Sequence, residues 1–151
     1  MSPSASDFEL GTDGPSLIVT GVDGSRTSLR AAAYAAGLAR RQGCRVLVVF
    51  VAHIGAAASM SSAGVAAMTI AGRQEAEELE QMITIRAAEV GIDAEFRAVA
   101  GDPFAELSRI ATEERADAVV VGTSESAGHR IVGSLATRLV SAGKWPVIVV
   151  P

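Results

Sequence analysis

Apolar residues fall along this chain in short runs separated by longer stretches where they recur at helical spacing. Leu17-Ile18-Val19-Thr20-Gly21-Val22 is the first run, and Val46 to Val51 is a second without alternation. An unbroken β-branched run marks a strand buried on both faces, the habit of parallel sheets. Ile92 to Ala100, Ala118 to Val121 and Val147 to Val150, the last bracketed by Pro146 and Pro151, complete five expected strands. Between them lie four expected helices. The first runs from Arg26 to Gln42, with Leu29, Ala33, Ala36 and Ala39 as its apolar stripe, Ser25 as N-cap and Gly43 as stop. The second runs from about Val65 to Val90. Its Glu75, Glu77, Glu78 and Glu80 form a solvated acidic face, and Leu79, Met82, Ile83 and Arg86 continue toward Gly91. The third opens with Asp102 as N-cap and Pro103 at its first position, and buries Phe104, Leu107, Ile110 and Ala111. The fourth runs from Ser134 to Ala142 and ends at Gly143.

Strands alternating with helices imply right-handed crossovers and a doubly wound α/β sheet, with ligands bound beyond the carboxyl ends of the strands. Residues 1–16 are small, polar and rich in Gly and Pro, and read as a disordered tail before a single domain over 17–151. Ala52 to Gly64, rich in Ala, Ser and Gly, is longer than a usual connection and reads as functional or mobile.

Composition narrows the picture. The chain is 49% hydrophobic but only 4% aromatic, so its core is built from Val, Ala, Leu and Ile. A formal charge of −4 argues against nucleic acid as a partner. No apolar run has the length of a membrane span and no secretory signal opens the chain. The single cysteine, Cys44, fits a packed thiol in a cytoplasmic setting. Two histidines and one cysteine make no zinc set, there is no Walker phosphate loop or Gly-x-Gly-x-x-Gly after the first strand, and no nucleophile elbow accompanies His129.

The stretch from Ala118 to Ser134 is the chemically suggestive one. A buried strand, a Gly/Ser/Thr-rich loop and a helix start make a place for an anion, because the first N–H groups of a helix lack partners and its dipole favours negative charge.

Three pieces together resemble the universal stress protein family: Ile18 to Ser25, Gly101-Asp102-Pro103, and Val120-Val121-Gly122 followed by Gly133-Ser134 and Pro146 to Val150. The resemblance covers Ser16 to Pro151. It implies a five-stranded parallel sheet of order 3-2-1-4-5 with helices on both faces, in the manner of the adenine nucleotide α-hydrolase-like proteins. It also implies a cytoplasmic, stress-linked protein that forms a homodimer, often through its last strand, here Val147 to Val150. ATP-binding members carry Gly-x-x-Gly-x9-Gly-Ser or Gly-Thr. This chain keeps Gly122 and Gly133-Ser134, but Glu125 stands where the second glycine would be, and only seven residues separate it from Gly133. Gly128 is a partial substitute, and His129 and Arg130 are potential phosphate donors. A carboxylate and a shortened loop oppose a triphosphate and suit AMP or cyclic AMP better than ATP; Mg2+ is expected only with ATP.

Carried over by position, Gly21, Asp23 and Val51 would line the adenosine pocket. Gly122 and Thr123 would approach ribose or the α-phosphate, and Gly128, Arg130, Gly133, Ser134 and Leu135 would meet phosphate. Each also has a purely structural reading: Asp23 bonding its own turn, Val51 in the core, Gly122 permitting a turn, Ser134 capping its helix. A nucleotide-responsive binding module is the leading expectation. A dimeric interaction protein with a vestigial pocket comes second, and a weak ATPase relying on Asp23 third.

Overall fold

The computed structural model describes residues 15–52, 61–124 and 133–151. The expected tail therefore lies outside the described residues apart from Pro15 and Ser16, as does most of the Ala52–Gly64 segment. Nine elements alternate along the chain: β1 (Leu17–Val22), α1 (Arg26–Gln42), β2 (Arg45–Ala52), α2 (Ser62–Val90), β3 (Ala94–Ala100), α3 (Pro103–Glu113), β4 (Ala118–Gly122), α4 (Ser134–Ala142) and β5 (Val147–Val150). The five strands form one sheet of order β3-β2-β1-β4-β5, with every neighbouring pair parallel. Chain direction across the sheet reverses between β1 and β4, which opens a crevice at their carboxyl ends.

Alternation along β1 divides the core. Ile18 and Val22 face α1 and α2 with Val46, Val48, Phe50 and Val120. Leu17 and Val19 face α3 and α4 with Leu47, Val49, Leu107, Ile110, Val119, Val121 and Leu139. Thr20 is fully buried on β1 with no partner for its hydroxyl among the described residues.

Helix boundaries follow local chemistry. The Ser25 hydroxyl accepts the Ser28 N–H at 3.2 Å at the start of α1, and Asp102 accepts the Ala105 N–H at 2.8 Å at the start of α3. Strand β3 begins two residues later than the apolar run suggested, because the Ile92 N–H bonds back to the Ala87 carbonyl and closes α2. The stripe expected for α1 is also corrected. The buried positions are Ala31, Ala35 and Ala39 with Thr27 and Ser28, whereas Ala33 is exposed and Leu29 and Ala36 are only half-buried. With alanines on nearly every side of α1, sequence spacing does not select a face. Contact with β1 and β4 does.

Candidate functional site

The turn after β1 is built around Asp23. Its carboxylate accepts the Ser25 N–H at 2.9 Å, while its own N–H donates to the Ser28 hydroxyl at 3.2 Å. Partial desolvation pushes the Asp23 carboxyl up, but hydrogen bonds from the Ser25 hydroxyl and N–H, the Ser28 hydroxyl and its own N–H outweigh that and leave it below the usual carboxylate range. Gly24 sits at φ +83°, a left-handed conformation that costs glycine nothing. Glu75 of α2 leans over this turn: a Cβ on Gly24 would stand 2.9 Å from its Oε1. Glu75 is exposed with Glu77, Glu78 and Glu80, as expected of a solvated acidic face, but nothing local in the sequence shows that it also borders this turn.

Across the crevice, β4 ends against the start of α1. A Cβ on Gly122 would lie 2.5 Å from the Thr27 carbonyl carbon and 2.7 Å from the Ser28 nitrogen. Gly122 is thus fixed by the approach of a helix backbone, a reason other than a turn or a ligand. The Thr27 hydroxyl donates to the Thr123 carbonyl at 2.6 Å, and the Thr123 N–H donates to the Val150 carbonyl at 2.9 Å. The Thr123 hydroxyl is buried and has no hydrogen-bond partner among the described residues.

Helix α4 begins at the same crevice. Its N-cap is Gly133, which has no side chain to cap with, so the reading of Ser134 as the cap is corrected: Ser134 is the first helical residue. The first intrahelical bond runs from the Thr137 N–H to the Gly133 carbonyl, and the N–H groups of Ser134, Leu135 and Ala136 precede it. Gly133 also lies against Ser124, with a Cβ position 3.0 Å from that of Ser124, so the two ends of the intervening loop meet. Glu125, Gly128, His129 and Arg130 lie outside the described residues.

These pieces enclose a cavity of about 240 Å³ whose walls include Gly21, Asp23, Val51, Gly122, Thr123, Gly133, Ser134 and Leu135. Every expected site residue that the structure describes therefore meets in one place. The cavity is also walled by Thr27, Ser28, Pro103, Leu107 and Ser124, which sequence reasoning missed. Thr27 and Ser28 follow Asp-Gly-Ser directly and are legible in hindsight, but Pro103 and Leu107 arrive from a distant helix. A Cβ on Gly21 would be 3.3 Å from Leu107, so this glycine keeps the cavity floor open. Asp23 and Val51 also line a second cavity of about 570 Å³ under α2, together with Gly72, Arg73 and Glu75. Asp23 is the one charged side chain of the smaller cavity among the described residues. Among those residues no group of three or more His, Cys, Asp or Glu side chains is placed to hold a metal ion, and no helix is long and apolar enough to cross a membrane.

The sequence profile of the universal stress protein family matches residues 16–151. A universal stress protein of Methanocaldococcus jannaschii is 27% identical over 136 residues, spanning 88% of this chain and 80% of the relative. Among solved structures, the universal stress protein UspA of Lactobacillus plantarum superposes with a TM-score of 0.77 at 21% identity, covering 90% of this chain and 97% of that one. A universal stress protein in complex with cAMP superposes with a TM-score of 0.69 at 26% identity, covering 91% and 97%.

Proposed function

Because the chain belongs to the universal stress protein family, we propose that it is a regulatory module of the stress response that binds an adenine nucleoside monophosphate, AMP or cyclic AMP, at the β1/β4 crevice. The observation that carries this reading is the start of α4, with no side-chain cap, opening on the same cavity as the buried Thr123 hydroxyl, which has no partner among the described residues. Free helix N–H groups and a desolvated hydroxyl favour an anionic, hydrogen-bonding ligand. The phosphate sits at Gly133, Ser134 and Leu135. The sugar lies over Gly122 and Thr123, and the base extends across Asp23 and Val51 toward the larger cavity. The relative determined in complex with cAMP supports the choice of ligand class.

One phosphate suits the described walls better than three. Asp23 is ionised at neutral pH and repels each added negative charge, and no described wall residue is cationic. ATP with Mg2+ is the weaker form of the reading, with Gly128 and Arg130 as the residues that would have to serve it. The module works by binding, not turnover. It acts in the cytoplasm, where the buried thiol of Cys44 stays reduced. It works as a homodimer paired through β5, an edge strand that carries no charge and leaves all four residues half-exposed.

Calorimetric titration with AMP, cyclic AMP and ATP, with and without magnesium, tests the site against Ser134→Asp. An aspartate in the first turn complements the helix dipole by about 0.3–1 kcal/mol, so the variant should melt no lower than the parent. It should nevertheless lose at least tenfold in affinity for the monophosphate. Binding unchanged in Ser134→Asp, or silence from every nucleotide in ligand-stripped protein, would leave the pocket vestigial and favour the interaction-protein reading.

A further inference from the structure

On the face of the sheet opposite α3 and α4, α1 and α2 cover β2 but part at the surface above it. They leave a groove of about 590 Å³, well within the size of ligand pockets. Its floor is Val46 and Val48, one wall is Leu29, Ala36 and Gly37 of α1, and the other is Met82, Ile83 and Val90 of α2. This groove is separate from the crevice at the carboxyl ends of the strands and shares no residue with the walls of either cavity there.

Two features say what would fill it. The first is Gly37. It stands inside α1, where glycine costs about 0.5–1 kcal/mol relative to alanine, and a Cβ placed on it would meet nothing within 4 Å among the described residues. No packing among the described residues calls for a glycine there, yet it widens the groove and exposes helix backbone to an occupant. The second is charge. The groove lining holds two arginines, Arg40 and Arg86, and no carboxylate, in a chain whose net charge is −4. Arg40 lies in the last turn of α1 and Arg86 one turn before the end of α2, so both stand in the carboxyl-terminal parts of helices that run the same way along the sheet. Arg86 is paired with Glu89 at 3.1 Å on the exposed rim, a contact that an incoming anion could exchange at little cost.

We propose that the groove between α1 and α2 binds a long-chain carboxylate, its acyl chain lying between the accessible Leu29, Ala36 and Gly37 of α1 and Met82, Ile83 and Val90 of α2, and its carboxylate at Arg40 and Arg86. An apolar trough lined by two cations and no carboxylate is complementary to a single-chain anionic amphiphile. A neutral apolar ligand would leave the arginines unused.

The test is fluorescence titration of the full chain with cis-parinaric acid, followed by displacement with hexadecanoate and with hexadecanol. Saturable binding is expected, with the carboxylate displacing the probe at a concentration at least tenfold lower than the alcohol. Gly37→Leu should abolish binding while raising the melting temperature, because leucine restores helix propensity as it fills the trough. Arg40→Glu with Arg86→Glu should weaken the carboxylate at least tenfold and leave the alcohol unchanged. Absence of saturable binding, equal displacement by acid and alcohol, or binding untouched by Gly37→Leu would each overturn the proposal. A self-association lost in Gly37→Leu, without probe binding, would assign the groove to a second copy. Probe binding that appears only when residues 1–14 are removed would assign it to the chain's own amino-terminal segment.

Discussion

At Gly122 two backbones come closer than any side chain allows. The nearest atoms to an added Cβ belong to the main chain of Thr27 and Ser28, which cannot rotate aside. Gly122→Ala should therefore destabilise the protein by about 3 kcal/mol, the upper part of the usual range for overpacking, in urea denaturation without any nucleotide. A purely ligand-facing glycine would instead lose affinity and keep its stability. Asp117 is a second residue whose role is set by what touches it. Its carboxylate accepts the Ser16 N–H at 2.7 Å, the Leu17 N–H at 3.0 Å and the Ser16 hydroxyl at 3.0 Å, pinning the start of β1 to the approach to β4. Desolvation pushes this carboxyl up, but those three donors prevail and hold it below its ordinary value of 3.8. A lowered folded-state value means stability that is complete above the unfolded value near 3.8 and is lost as pH falls below it, through the folded value. Asp117→Ala should cost about 1 kcal/mol at neutral pH, a modest figure because solvent reaches the carboxylate. The gap between parent and variant should close as the pH of the denaturation series is lowered through that window.

The helices and strands differ in how they treat their ends and edges. Helices α1 and α3 are capped by Ser25 and Asp102, and α4 presents a glycine at the cavity instead. At the sheet edges, β3 is guarded by charge: Arg97 pairs with Glu95 at 2.8 Å and with Glu114 at 3.0 Å. Strand β5 carries Val147-Ile148-Val149-Val150 and no charge. The carbonyls of Pro146 and Val150 accept from the N–H groups of Val119 in β4 and of Thr123 just after it, so residues of that parity face inward and the amides of Val147 and Val149 face outward. Val149→Pro removes an outward N–H without breaking a bond to β4. It should leave the fold intact and convert the proposed homodimer to monomer in light scattering. A dimer that persists in Val149→Pro would move the interface away from this edge.

At the scale of the molecule, the parallel sheet brings the turn after β1, the ends of β2 and β4 and the starts of α3 and α4 to one place, and the cavity lies among them. Much of this was legible in the sequence. The strand runs, Ser25, Asp102-Pro103 and the two αL glycines Gly43 and Gly143 fall where local chemistry puts them. The walls of the cavity that belong to the Asp-Gly-Ser turn and to Gly133-Ser134 were legible too. Pro103, Leu107 and Glu75 were not, because they reach the site from helices far away in the chain. The α1/α2 groove was invisible for a related reason: its wall consists of alanines and a glycine that look like ordinary packing residues until the distance to α2 is known.

By itself the sequence determined the alternation of elements, the parallel character of the sheet and the anion-favouring start of α4. Each depends on hydrophobic period, turn residues and capping, which act over a few neighbouring positions. Only the tertiary structure decided which face of α1 is buried, why Gly122 must be glycine, and that the Thr123 hydroxyl is buried in the crevice with no partner among the described residues. Those depend on contacts between residues roughly a hundred positions apart, such as Thr27 with Thr123, and the spacing of residues along a chain does not record distances across a sheet.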